Sequence, residues 1–341
     1  MNSSETRLFH IDFLRSLLTF YIVGFWHIDD YAGNIFFSPA TELIIFAVLN
    51  TFIFISSYIL STKYDNMNTA AELKSFVVKR VLRIYPLYLL SLLLFYYFFT
   101  LSNFELISQI FLFNLFSDTS VFTLWFIGLI FNYYIIFSLI CYKSSLKKII
   151  ISSLLFLLVC GLSFFLTATI DARILLYYPS FIIGILYYKY TSSFYFFEKA
   201  SINLILSAAA ITLLLFSQYI NSDHVSKLLL YSGGTFLVFP FLFLSKKVSA
   251  YLNNATVSIF YKISYASFCM YIFHRIVYYI LLRLYPNLSD LHKLLFLYFV
   301  GIPLLIIISY VVQYCYDVCI NYMFNRETIG RSQILTKGLK K

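Results

Sequence analysis

Two histidines and several arginines stand inside or at the ends of long apolar runs of this chain, where ionisable side chains are costly and ask for a reason. The stretch "HIDFLRSLLTFYIVGFWHID", residues 10–29, carries Asp12 and Arg15 near one end and His27 at the other. The stretch "SYASFCMYIFHRIVYYIL" carries His274 well inside its run, with Tyr271 and Tyr278 on the same helical face at i−3 and i+4. Imidazole titrates near neutral pH, so two of them at depth point to a water-accessible cavity that does proton chemistry. The competing reading is a pair of hydrogen-bonded packing residues. In "FVVKRVLRIYPLYLL", residues 76–90, Arg80 and Arg83 sit three apart and share a helix face, with Lys79 beside them. Snorkelling to lipid phosphate explains a single arginine at such a place. Two on one face, just before Tyr85 and Pro86, suit an anion clamp, because guanidinium stays charged when partly buried and grips phosphate with a planar fork.

The elements that must hold these groups follow from composition. The 341 residues are 61% hydrophobic and only 12% charged, more apolar surface than a soluble protein of this size can hide. Repeated continuous runs of about 20 apolar residues, the length that crosses a hydrocarbon core, predict an all-α polytopic membrane protein. A β-barrel would instead show short alternating segments. Ten spans are expected, near 11–29, 40–61, 82–100, 122–142, 149–169, 173–190, 202–220, 227–245, 259–283 and 291–323. The first continues past the length of a signal-peptide core, has no polar cleavage region after it and is read as retained. "FELISQIFLFNLF", residues 104–116, is too short to cross and is expected to be re-entrant or interfacial. Residues 1–325 read as one membrane domain, and 326–341 as a polar, basic cytoplasmic tail.

With the N-terminus in the cytoplasm, only Arg173, Lys227, Arg275, Arg283 and Lys293 fall on the outer side, leaving 20 of the 25 Lys and Arg inside. That bias supports the span count and places both termini in the cytoplasm. It also accounts for the net charge of +10 through anionic lipid head groups, with no call for nucleic acid. Cys141, Cys160, Cys269, Cys315 and Cys319 show no metal-ligand spacing and read as small hydrophobes, and no metal is expected. His10, His224 and His292 are given no role.

Taken together, these stretches resemble the acyltransferase family 3, polytopic membrane enzymes that O-acylate bacterial surface carbohydrates. "IDFLRSLLTFYIVGFWH" is similar to the family's first helix, and "FVVKRVLRIYPLYLL" to the basic start of its third. "LWFIGLIFNYYII", with Trp125, resembles its fourth helix, and "SYASFCMYIFH" its late Tyr-x-x-His helix. The resemblance covers nearly the whole chain. It implies acetyl-CoA or another acyl-CoA as donor substrate, bound from the cytoplasm, with no tightly held cofactor. It implies a hydroxyl of an O-antigen, capsule or exopolysaccharide type glycan as acceptor, and residence in the bacterial inner membrane. By the same carry-over His27 is catalytic, His274 lines the site, and Arg15, Lys79, Arg80 and Arg83 handle the donor. Asp12 orients Arg15, one turn away, or forms a simple helix-end ion pair; Trp125 and Tyr271 support the site.

Two departures matter. Relatives usually place ten residues between the first-helix arginine and histidine, eleven steps that end within about 20° of one face. Here twelve steps separate Arg15 from His27, which leaves them about 120° apart on a regular helix. Either the two residues do not act together, or a π-bulge between residues 19 and 27, near Gly24, absorbs the extra residue. Many relatives also carry a glutamate shortly after the fourth-helix tryptophan. "WFIGLIFNYY" has none, so Asp29 and Asp30 are the acids nearest in sequence. A donor threaded from the arginines to His27, about 18 Å beyond Arg15, requires a continuous tunnel. The alternatives are a transporter or flippase for an anionic or glycan substrate, and a repeat-unit polymerase. The first lacks an inverted repeat here, and the second lacks a large basic outer loop.

Overall fold

The computed structural model describes residues 9–64, 67–117, 119, 121–167 and 170–338, with side chains described as far as Tyr322 except at Thr167. Helix α1 is Phe9–Asp29, α2 is Pro39–Tyr64, α3 is Ala70–Phe99, α4 is Asn103–Ile110, α5 is Trp125–Cys141 and α6 is Leu146–Thr167. Then follow α7 (Arg173–Leu176), α8 (Tyr178–Lys189), α9 (Ala200–Gln218), α10 (Asp223–Phe236), α11 (Val238–Ser249), α12 (Asn254–Leu284), α13 (Asp290–Phe296) and α14 (Ile302–Gly338). No strand occurs among the described residues, and nine helical stretches there are long and apolar enough to cross a membrane. The protein is an all-α integral membrane protein. The side chains of the expected tail, 326–341, lie outside the described residues.

The expected span at 173–190 is corrected: it is two short helices, α7 and α8, that break at Tyr177. Proline explains the break. Pro179 has no N–H to give the carbonyl four residues back, and its ring crowds that turn. Pro240 acts likewise between α10 and α11, which break at Leu237. Pro86 is the exception, because α3 runs through it without a stop. The carbonyl it orphans is that of Leu82, and the Tyr316 hydroxyl donates to it. In lipid such a partner must come from the protein.

Residues near 104–116 are re-entrant. Ser102 and Glu105 form a capping box that starts α4. The hydroxyls of Tyr88 and Tyr85 then donate to the carbonyls of Gln109 and Ile110, each at 2.9 Å. Tyr85 lies fourteen residues before the end of α3, so this segment dips about 21 Å along it.

One pair of helix exits agrees with the charge bias. Met67 N–H donates to the Cys141 carbonyl and Lys143 N–H to that of Met67, which places the exits of α2 and α5 on one side. Helices α1, α2 and α12 are rich in buried side chains, whereas α6 and α9 present Leu154, Leu155, Leu158, Leu204 and Leu215 outward. Helices α2 and α8 pack backbone to backbone. A Cβ on Gly184 would overlap Ser57 Oγ and stand 2.6 Å from the Phe54 carbonyl oxygen. Overpacking a tight contact costs about 1–3 kcal/mol. Gly184→Val is therefore expected to lower the thermal unfolding midpoint in detergent, and an unchanged midpoint would show the contact to be slack.

Candidate active site

The site has an inner and an outer half, both organised by α1 and α12. In the inner half a cavity of about 540 Å³ is lined by Arg15 from α1 and by Lys79, Arg80 and Arg83 from α3. Four cations thus face a single lining carboxylate, Asp317 of α14. The Arg80 guanidinium lies over the Tyr64 and Phe76 rings, 5.6 and 5.9 Å from their centroids, and its Nε is buried without a hydrogen-bond partner. Arg15 Nη2 donates to Ser267 Oγ at 3.2 Å. Asp12 Oδ1 accepts from Ser264 Oγ at 2.6 Å and lies 4.0 Å from Arg15 Nη1. The Asp12–Arg15 turn of α1 is therefore bolted to one turn of α12. These four cations, singled out from the sequence, line one space.

In the outer half His27 and His274 face each other. Their rings stack with centroids 4.8 Å apart and planes 11° apart, and both residues are buried. The reason that His27 reaches this place is local. Helix α1 carries a π-helical turn at Ile22–Trp26, where His27 N–H donates to the Ile22 carbonyl five residues back. The extra residue is absorbed there, in the interval where the Arg15 to His27 spacing demands it, and His27 turns inward rather than to lipid. His274 Nδ1 lies 2.7 Å from the Tyr271 carbonyl oxygen. A carbonyl only accepts, so Nδ1 carries the proton and Nε2 keeps a lone pair. Both His274 Nε2 and His27 Nδ1 are buried without a hydrogen-bond partner.

The two halves do not merge. The cavity ends against Ile22, Phe126 and Tyr271, and the imidazoles do not line it. The expected continuous tunnel is thus replaced by a cavity that stops about one helical turn short, since Tyr271 precedes His274 by three residues. The wall is made of large side chains held in place. Tyr271 packs 5.6 Å from the Phe126 ring, and its hydroxyl donates to the Thr123 carbonyl at 2.7 Å.

A family model described as an acyltransferase domain matches residues 9–314. The chain belongs to acyltransferase family 3. No curated protein and no solved structure matches it. The match to this membrane acyltransferase takes in Arg15, His27, the Lys79–Arg83 cluster, Trp125 and His274.

Other residues singled out from the sequence lie farther from the imidazoles of the acyltransferase. The Asp29 carboxylate accepts the Phe36 N–H, 3.1 Å from each oxygen, and shapes the turn between α1 and α2. Asp30 pairs with Arg275 at 2.6 Å. Neither carboxylate bonds to an imidazole. Trp125 stays out of the inner cavity, with the Arg173 guanidinium 4.0 Å over its ring and Arg173 Nε held by Asp171. Sequence reasoning missed Asp317, which accepts from Tyr265 at 2.5 Å and from Gln313 at 3.0 Å. The signal was present, since Asp317 is an ionisable residue inside an apolar run.

Lys79 and Ile320 line the cavity on the side of α3 and α14 that the lysine and arginine bias assigns to the cytoplasm, so it is expected to open inward. In inside-out vesicles a single-cysteine Arg83→Cys protein is expected to label with a membrane-impermeant thiol reagent. In right-side-out vesicles it should stay protected, and labelling there would place the opening on the wrong face.

Proposed function

We propose that this acyltransferase moves a short acyl group from cytoplasmic acyl-CoA, acetyl-CoA foremost, to a hydroxyl of a surface or lipid-linked glycan at the outer face of a bacterial inner membrane. The observation that carries this reading is a cation-lined cavity that points from the cytoplasmic side at a buried imidazole pair. A nucleotide with its phosphates needs fixed cations in excess of the carboxylates beside them, and here Asp317 is the one lining carboxylate against four cations. Arg80, with its unpartnered Nε, and Arg83 beside it meet that need near the mouth. Arg15 stands deeper, on the route that a narrow pantetheine arm would follow.

The chemistry balances without a further reagent. The acceptor oxygen attacks the thioester carbonyl while an imidazole nitrogen removes the hydroxyl proton. The tetrahedral adduct expels the CoA thiolate, which takes that proton from the imidazolium, leaving an ester and free CoA. General-base help of this kind is worth about 10²–10⁴-fold. His27 Nδ1 and His274 Nε2 are the free nitrogens, and His274 Nε2 is presented as a base by the bond that occupies its Nδ1. The same pair also serves a two-step route, in which one imidazole carries the acyl group and the other takes the acceptor proton. In either route the thioester passes the Tyr271–Ile22–Phe126 wall, so the Tyr271 side chain moves during turnover.

The test uses purified protein in vesicles, with radiolabelled acetyl-CoA on the cytoplasmic face and a glycan acceptor on the other. Label is expected on the glycan, and His27→Ala is expected to reduce it at least a hundredfold, within the range of general-base effects. Delivery of unacylated substrate would mark a transporter instead. Arg80→Ala is expected to raise KM for the CoA donor about tenfold or more, roughly the loss of one charge-assisted contact, with KM for the acceptor unchanged. Equal effects on both substrates in folded protein would remove Arg80 from the donor site.

A further inference from the structure

We infer that Tyr278 is a positioning residue, whose hydroxyl holds the π turn of α1 and so keeps His27 stacked on His274. The inference rests on the reading of His27 as a reacting group, and goes beyond it to what places that group.

A regular helix would pair the Val23 carbonyl with the N–H of His27, four residues on. In the π turn that N–H goes to Ile22 instead. The Val23 carbonyl takes a hydrogen bond from Tyr278 Oη of α12, at 3.1 Å. In lipid no water replaces such a partner, so the phenol favours the bulged form over the regular one. The connection is symmetric along the two helices. His27 follows Val23 by one turn, and His274 precedes Tyr278 by one turn. The bond therefore ties together the two backbones that carry the imidazoles, one turn away from them.

Tyr278 is itself locked. It is fully buried, and its ring meets the Tyr31 ring edge-on at 6.0 Å and the His274 ring at 6.0 Å. On its far side a second π turn, Leu297–Gly301, brings backbone against it. A Cβ on Gly301 would come 3.3 Å from the Tyr278 ring, so the missing side chain is what admits the phenol. The ring has little freedom to leave Val23.

Three measurements on the full-length protein test the proposal. Tyr278→Phe removes one oxygen and keeps the ring. It is expected to lower kcat about a hundredfold, the scale of a 1 Å misplacement, with KM for the acyl donor within about twofold. An unchanged kcat in folded protein overturns the proposal. Deletion of Gly24 removes the residue that the π turn absorbs, so α1 becomes regular with His27 still facing inward. In that background Tyr278→Phe is expected to have no further effect, and an undiminished loss overturns the proposal. The third readout needs no activity. A His27→Cys/His274→Cys pair is expected to be bridged by a short bifunctional thiol reagent, and Tyr278→Phe to cut the yield severalfold. Unchanged yield overturns the positioning role. If His27→Ala keeps full transferase activity, the reading of His27 fails instead, and the crosslink still reports on what Tyr278 positions.

Discussion

Lipid offers the backbone no hydrogen-bond partner, and in this protein tyrosine hydroxyls meet that constraint at several places where the helices become irregular. Tyr278 bonds to Val23 in the π turn of α1, and Tyr316 to the Leu82 carbonyl that Pro86 orphans. Tyr85 and Tyr88 hold the carbonyls at the inner end of the re-entrant α4, and Tyr271 holds that of Thr123 just before α5. Tyr133 bonds to the Ile174 carbonyl in the short helix α7. Each is a long, stiff side chain whose body packs as a hydrophobe and whose tip donates. The 31 tyrosines of the chain are thus not only membrane-interface residues: several are the internal substitutes for water that let a helical bundle contain breaks.

Those breaks sit where the site needs them. A bundle of regular helices presents side chains at fixed angles and cannot place residues twelve apart on one face. The π turn of α1 converts that mismatch into a shared face, with Arg15 on the inner cavity and His27 on His274. Arg15 and Asp12 are bonded to Ser267 and Ser264 of α12, and Tyr278 of α12 adds a second tie within the bulge, at Val23. The α1–α12 pair is thus clamped below the bulge and inside it, with His274 between the two ties on α12 and His27 one turn beyond the second on α1.

Much of this was legible in the residues. Apolar run lengths gave nine of the ten expected spans, and the Arg15 to His27 spacing offered, as one of two readings, a bulge that occurs at Ile22–Trp26. The break at Tyr177 was also written in the sequence, as Pro179, but a run of apolar residues hides a proline when only hydropathy is read. Other features were not legible because they depend on which helices meet. Nothing local to Ser264 or Ser267 names α1 as the neighbour, and helices that are apolar on every face carry no stripe to say which side is inward. Asp29 and Asp30 were placed near the histidines by sequence distance alone. The chain turns sharply after Asp29, with Gly33 at φ 80° and Asn34 at φ 57°, so one carboxylate serves the turn and the other meets Arg275. Asp317 was legible as an ionisable residue inside an apolar run, but its partner Tyr265 on α12 was not.

The wall between the cavity and the imidazoles has a physical use under the proposed reaction. A thioester beside an activated base is exposed to hydrolysis whenever water shares the space. Ile22, Phe126 and Tyr271 give the cavity an apolar end, and the cations lie on its inner side. Water that hydrates the arginines is thereby kept one turn from the histidines. A nucleotide is held where charge is welcome, whereas an uncharged acyl tip loses little by crossing an apolar partition. Under the proposed reaction, the partition that interrupts the tunnel would sort an acyl-CoA donor by its parts, passing the end that reacts and retaining the end that carries phosphate. Such sorting needs only that Tyr271 yield, and Tyr271 belongs to the turn whose backbone carbonyl already fixes the His274 ring. Opening of the wall and orientation of the base are in this way properties of a single turn of α12.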